Sequence, residues 1–206
     1  MLDPDSQTLV AITDGAQRDT SDIVQRALAC VRGGATMVQL RLKDADARTQ
    51  VEVARALVAA LPASVPLIMN DRADLAIASG AAGVHVGPED LPAAAVRRIV
   101  GPDRIVGVSV GNDAEALQAS AADYVGIGPV YATASKGDAG DAIGIAELER
   151  LIAHCARPAV GVGGIDASNA AAVTAAGARG VAVIRALFSA SDPEAAARSL
   201  RSAIGR

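Results

Sequence analysis

Eight short apolar stretches rich in β-branched residues recur along the chain: TLVAIT (8–13), TMVQL (36–40), PLIMN (66–70), AGVHV (82–86), RIVGVSV (104–110), DYVGIG (123–128), PAVGVG (158–163) and RGVAVI (179–184). Each has the length and composition of a buried strand. Between most of them the apolar positions change to a helical spacing, as in SDIVQRALACVRGG (21–34) and RTQVEVARALVAAL (48–61). The first of these predicts a helix capped by Ser21 or Asp22 and stopped at the Gly33-Gly34 pair. Strand–helix alternation implies a parallel sheet with right-handed crossovers. Eight such units in 206 residues predict an α/β fold, a single-domain (β/α)8 TIM barrel over residues 1–206, without a linker or second domain. A doubly wound open sheet fits less well, because ITDGAQ follows the first strand where a Gly-x-Gly-x-x-Gly turn would be needed. One connection is long: PVYATASKGDAGDAIG, residues 129–144. Its Gly, Ser, Thr and Asp content reads as a loop, and its length as an active-site lid or binding element.

The second strand departs from plain burial. In TMVQLRLKDAD (36–46), Gln39, Arg41 and Lys43 alternate with Val38, Leu40 and Leu42. Strand side chains alternate between faces, and in a parallel barrel one face packs on helices while the other looks inward. Three polar residues on one face therefore predict a wet barrel mouth. Polar groups gather at the same end of the other strands: Asn70, Asp71 and Arg72 after strand 3, His85 and then Asp90, Ser109 on strand 5, and Thr133, Ser135 and Lys136 after strand 6. Strands 7 and 8 end in Gly163-Gly164 and Ile184-Arg185. In such barrels the site lies at the carboxyl ends of the strands.

The residue types suggest what binds there. Arg41, Lys43 and Lys136 are multi-donor cations suited to phosphate oxygens. Asp71 and Asp90 are hard oxygen ligands, and two carboxylates among cations suit a magnesium ion shared with substrate phosphates. GVGGIDASNAAAV (161–173) puts glycines before a predicted helix start, where free N–H groups favour a second anion. Plainer readings exist. The Gly pair makes a tight turn, Asp71 and Asp90 cap the helices that follow them, and His85 is a satisfied core residue. Arg72 is a solvated charge at a helix start, and His154 is a structural group near a helix end. The strand-2 triplet has no equally plain account.

Composition narrows the classes. Hydrophobic residues make up 51% and aromatics 1%, so the core must be built from Ala, Val, Leu and Ile. With 19 basic and 23 acidic residues there is no basic stripe for nucleic acid. No apolar run reaches membrane-spanning length, and MLDPDSQ lacks the regions of a signal peptide. Cys30 and Cys155 lack metal-ligand spacing and read as reduced packing residues in a cytoplasmic protein. The oligomeric state stays open, a homo-oligomer included.

VQLRLKD, LIMNDRADLAIASGAAGVHVGPEDLP, GVSV, DYVGIGPVYATASK, VGVGGI and GVAVIRALF, in this order along nearly the whole chain, resemble the thiamine-phosphate synthase family. The resemblance implies a (β/α)8 barrel that joins hydroxymethylpyrimidine diphosphate to thiazole phosphate, giving thiamine phosphate and pyrophosphate. It implies that Gln39, Arg41, Lys43, Asn70, Ser109 and Lys136 contact the pyrimidine diphosphate, with Arg41, Lys43 and Lys136 as the catalytic cations. Asp71 and Asp90 would hold magnesium. Thr133, Ala134, Ser135, Gly164, Ile184 and Arg185 would hold the thiazole phosphate. The chain departs from the family pattern in carrying Leu42 for Glu, Pro88 for Gln, Ser135 for Thr and Arg185 for Ser. A related thiazole tautomerase carries His where this chain has Pro129, so that reading lacks its proton carrier. A phosphate-sugar isomerase barrel lacks an evident base, and a non-catalytic ligand-binding regulatory barrel would not need the metal pair.

Overall fold

The structure is a computed structural model that describes residues 8–14, 19–133 and 141–205. The strands are β1 (Leu9–Ile12), β2 (Met37–Leu40), β3 (Leu67–Asn70), β4 (Gly83–Val86), β5 (Ile105–Val110), β6 (Tyr124–Ile127), β7 (Ala159–Val162) and β8 (Gly180–Val183). All eight pair in parallel, in chain order, and β8 closes on β1. The helices are α1 (Thr20–Arg32), α2 (Ala47–Ala60), α3 (Ala73–Ser79), α4 (Ala93–Val100), α5 (Asp113–Gln118), α6 (Gly144–His154), α7 (Ala170–Ala175), α8 (Arg185–Phe188) and α9 (Pro193–Ile204). They ring the barrel, with α1 packing on both α2 and α9. This is the (β/α)8 barrel expected from the alternation.

The period-two pattern divides each strand. Val10, Ile12, Met37, Ile68, Tyr124, Val160, Ala182 and Ile184 fill the barrel interior. Leu9, Ala11, Val38, Leu40, Leu67, Met69, Val84, Val86 and Val181 face the helices, with Leu42 packed against the same cluster. Truncating a fully buried residue such as Leu40 to Ala would cost about 2–5 kcal/mol.

Local details correct three expectations. The cap of α1 is Asp19, not Ser21 or Asp22: its carboxylate accepts from Asp22 N at 2.8 Å. Strand β2 ends at Leu40, so Lys43 lies in a turn beyond the strand and not on its inward face. The Gly163-Gly164 pair does not lead directly into a helix, because α7 begins only at Ala170. What requires these glycines is close packing. Both have positive φ, 96° and 65°. A Cβ on Gly163 would lie 2.6 Å from Pro129 Cα, and one on Gly164 2.7 Å from Ala132 O. The segment after β6 thus runs against the end of β7, with Val130 N donating to Val162 O at 2.8 Å. Both described ends of the long connection meet there: Ile143 N donates to Pro129 O at 2.8 Å and Gly144 N to Val130 O at 3.0 Å.

Candidate active site

At the carboxyl ends of the strands lies a cavity of about 620 Å³, within the range of small-ligand sites. Arg41, Lys43, Asn70, Asp71, Asp90, Ser109, Thr133, Gly164, Ile184 and Arg185 all line it. The sequence had scattered these residues over the loops after seven strands, and barrel closure brings them to one mouth. Ala134, Ser135 and Lys136 lie outside the described residues. Gln39 is placed differently: it sits one layer deeper, 4% exposed, beside a small inner void that Tyr124, His85 and Ser109 also line.

Arg41 is the most telling side chain. It is 7% exposed, and its buried Nε has no hydrogen-bond partner among the described residues. Arg104 Nε and Arg201 Nη1 are buried without partners in the same way, but Arg41 alone of the three lines the cavity, where a multi-donor cation suits an anion. Its backbone is fixed by Thr13, which follows β1. Arg41 N donates to Thr13 Oγ1 at 2.7 Å, and Thr13 Oγ1 donates to Arg41 O at 2.9 Å.

The carboxylates do not act as helix caps. Helix α3 is capped by Arg72 and α4 by Pro92, neither through a side chain. Asp71 follows β3 with φ of 63°, uncommon for a residue with a Cβ, and its N–H donates to His85 O at 2.7 Å. That hydrogen bond ties the residue to the neighbouring strand and holds it at the cavity. Asp90 Oδ2 accepts from Gly87 N at 2.7 Å, closing the loop after β4. Of the other lining carboxylates, Glu115 accepts from Gly111 N at 2.6 Å and Asn112 Nδ2 at 2.7 Å. Asp166 accepts from Ser168 N and Oγ, which hold its carboxyl below the usual range. Glu89 lines the cavity too; Asp71 and Asp90, from the loops after β3 and β4, are two carboxylates at this mouth that could hold a metal. No cluster of three or more His, Cys, Asp or Glu placed for a metal occurs among the described residues. A two-carboxylate set suits magnesium, which takes one or two carboxylates and completes its shell with water and phosphate oxygens.

Arg72 is exposed and pairs with Asp74 at 2.6 Å, as a solvated charge should. His154 Nδ1 lies 2.7 Å from Arg150 O on the protein exterior. His85, by contrast, is buried between Tyr124 and Ser109. Tyr124 and Thr13 are the residues that sequence reading missed. Tyr124 lies in an ordinary apolar run; its one signal is Gly107, a glycine inside the neighbouring strand.

The chain matches the family model described as thiamine monophosphate synthase over residues 9–187. A thiamine-phosphate synthase of Xanthobacter autotrophicus is 48% identical over 207 residues, covering 99% of this chain and 98% of that protein. One of Azorhizobium caulinodans is 49% identical over 211 residues, with coverage of 99% and 98%. Among solved structures, a thiamine phosphate pyrophosphorylase from Pyrococcus furiosus superposes with a TM-score of 0.87 at 33% identity, covering 98% of this chain and 97% of its own. The chain belongs to the thiamine monophosphate synthase family.

Proposed function

We propose that the chain catalyses the thiamine-phosphate synthase reaction of thiamine biosynthesis, joining 4-amino-2-methyl-5-hydroxymethylpyrimidine diphosphate to thiazole phosphate. The observation that carries this is the cavity that gathers the cations Arg41 and Lys43 with Asp71, Asp90 and Ser109 at one barrel mouth. In the reaction the bond between the pyrimidine methylene carbon and the diphosphate oxygen breaks. Its electron pair leaves with pyrophosphate, and the electron-rich aminopyrimidine stabilises the carbocation. The thiazole nitrogen lone pair then forms the new bond. No proton or electron has to be supplied.

The protein's work is to neutralise the leaving group and keep water from the cation. Arg41 and Lys43 would bind the diphosphate oxygens, helped by Lys136 from the loop, which lies outside the described residues. Asp71 and Asp90 would hold magnesium. When bound, it would neutralise further charge on the diphosphate. Asn70 and Ser109 would orient the pyrimidine diphosphate. Thr133, Gly164, Ile184 and Arg185, with Ala134 and Ser135 of the loop, would receive the thiazole phosphate. The family resemblance implies a serine at position 185, so Arg185 would add charge where a hydroxyl is expected. Residues 129–144 would act as the cover that excludes water.

Among the described residues no helix is long and apolar enough to cross a membrane. Two free cysteines fit a reducing compartment, where the enzyme would act on small phosphorylated substrates in the cytoplasm.

A thiazole tautomerase would need a proton carrier where Pro129 lines the cavity. The test is incubation with both substrates and magnesium, read by mass spectrometry. Thiamine phosphate supports the synthase. Isomerisation of a thiazole carboxylate alone would support the tautomerase, and no conversion would support a ligand-binding barrel.

A further inference from the structure

At the floor of the cavity, polar side chains from three strands touch in succession, the hydroxyl of Tyr124 on β6 being the innermost. That hydroxyl lies 3.0 Å from Nδ1 of His85 on β4, and His85 Nε2 lies 3.1 Å from Oγ of Ser109 on β5. His85 and Ser109 both line the cavity. The rest of this layer is aliphatic, and a barrel core does not need a polar chain. Space has been made for it. A Cβ on Gly107 would lie 2.4 Å from Tyr124 Cζ and 2.5 Å from His85 Nδ1, and one on Gly126 would lie 3.2 Å from His85 Cε1. Only with glycine at these two interior positions can the imidazole and the phenol meet unshifted.

We propose that Tyr124 and His85 are positioning residues that hold the hydroxyl hydrogen of Ser109 aimed into the cavity, where it donates to the departing diphosphate. The proposal rests on the synthase reading above and adds what orients Ser109. The direction of the chain follows from the ligand. An anion only accepts, so Ser109 must donate outward and must itself accept from His85 Nε2–H. A neutral imidazole with its proton on Nε2 has a bare Nδ1, which accepts from the Tyr124 hydroxyl. Burial pushes the Tyr124 phenol far above its ordinary range, so the phenol keeps the hydrogen it must give. In the opposite direction Ser109 would spend its hydrogen on His85 and present lone pairs to phosphate oxygens.

The test reads His85 directly. The chain has two histidines, so a His154→Gln variant labelled with ¹⁵N-histidine carries one imidazole. A long-range ¹H–¹⁵N spectrum at neutral pH should show His85 protonated on Nε2 with Nδ1 bare. A proton on Nδ1, or on both nitrogens, overturns the proposal. Kinetics give an independent arm. Tyr124→Phe should lower kcat about tenfold while KM for the pyrimidine diphosphate stays within about twofold, as expected when a catalytic donor loses its aim. Tyr124→Phe combined with Ser109→Ala should be no slower than Ser109→Ala alone. Multiplicative losses, or a lowered Tm with unchanged kcat, would reduce Tyr124 to a packing residue. A chain that makes thiamine phosphate with the wrong tautomer overturns the relay and leaves the synthase reading standing. No product from the unsubstituted chain overturns that reading, and with it the purpose of the relay.

Discussion

Thr13 and Arg41 are locked together: one hydroxyl accepts from Arg41 N at 2.7 Å and donates to Arg41 O at 2.9 Å. Thr13 is 1% exposed and belongs to the segment after β1, so the barrel's first turn sets the backbone of its principal cation. Thr13→Val keeps the shape and leaves both Arg41 backbone groups without this partner. It should cost about 1–3 kcal/mol of stability, and kcat/KM should fall roughly tenfold as the guanidinium loses its aim. Thr13→Ser should restore most of both losses. Equal activity of the Val and Ser variants would contradict this account.

Arg41 should show function and stability in opposition. Its Nε is buried without a partner, so Arg41→Met removes an unmet donor and keeps the aliphatic stem's packing. Turnover should fall on the order of 10²–10³-fold, while the Tm of the free chain holds or rises. A large fall in Tm would mean that Arg41 holds the fold and not the substrate.

The carboxylate pair should respond through metal. Asp71→Asn and Asp90→Asn should each raise the magnesium concentration needed for half-maximal turnover by about tenfold or more, with little change in Tm. Calorimetry should find magnesium bound weakly by the chain alone and more tightly with pyrophosphate present, because two carboxylates leave most of the shell to phosphate and water. An unchanged magnesium dependence in both variants would remove the pair from the metal site.

Cys30 predicts an alkaline weakness. Burial pushes its thiol up to about 12 from 9.0. The folded state therefore keeps a proton that the unfolded chain gives up between these values. Stability is intact below about pH 9 and falls above it, by on the order of 1 kcal/mol per pH unit. Urea unfolding at pH 8 and pH 10.5 should show the drop, and Cys30→Ala should flatten that part of the profile. In the folded chain a thiol reagent should reach the half-buried Cys155 before Cys30.

Leu42 faces the helices and packs on the outer core. Leu42→Glu, which introduces the residue the family resemblance implies there, should lower stability by about 1 kcal/mol and leave kcat within about twofold. A large change in kcat would place residue 42 at the substrate.

The strands were legible because a parallel barrel buries both of their faces, so each appears as a short apolar run. All eight lie within the expected runs, β1 as Leu9–Ile12 inside 8–13 and β8 as Gly180–Val183 inside 179–184. The mouth residues were legible because cations and carboxylates are out of place after such runs. Two kinds of feature were hidden. The cap of α1 fell one turn early because Asp19, Ser21 and Asp22 are all good caps and only geometry chooses. The Gly163-Gly164 pair looked like a helix entry, but its glycines answer to Pro129 and Ala132, thirty-odd residues away in the chain. The Tyr124–His85 pair was hidden for the same reason. Its members sit 39 positions apart, and only the register of β4, β5 and β6 brings them together around Gly107.

The central claim is that this barrel mouth expels pyrophosphate from a pyrimidine diphosphate and lets a thiazole nitrogen take its place. The most direct measurement is mass spectrometry of the purified chain incubated with both substrates and magnesium, with and without chelator. The account predicts thiamine phosphate and pyrophosphate in equal amounts, lost with chelator and largely lost in Arg41→Met. Both substrates recovered intact in the presence of magnesium would contradict it.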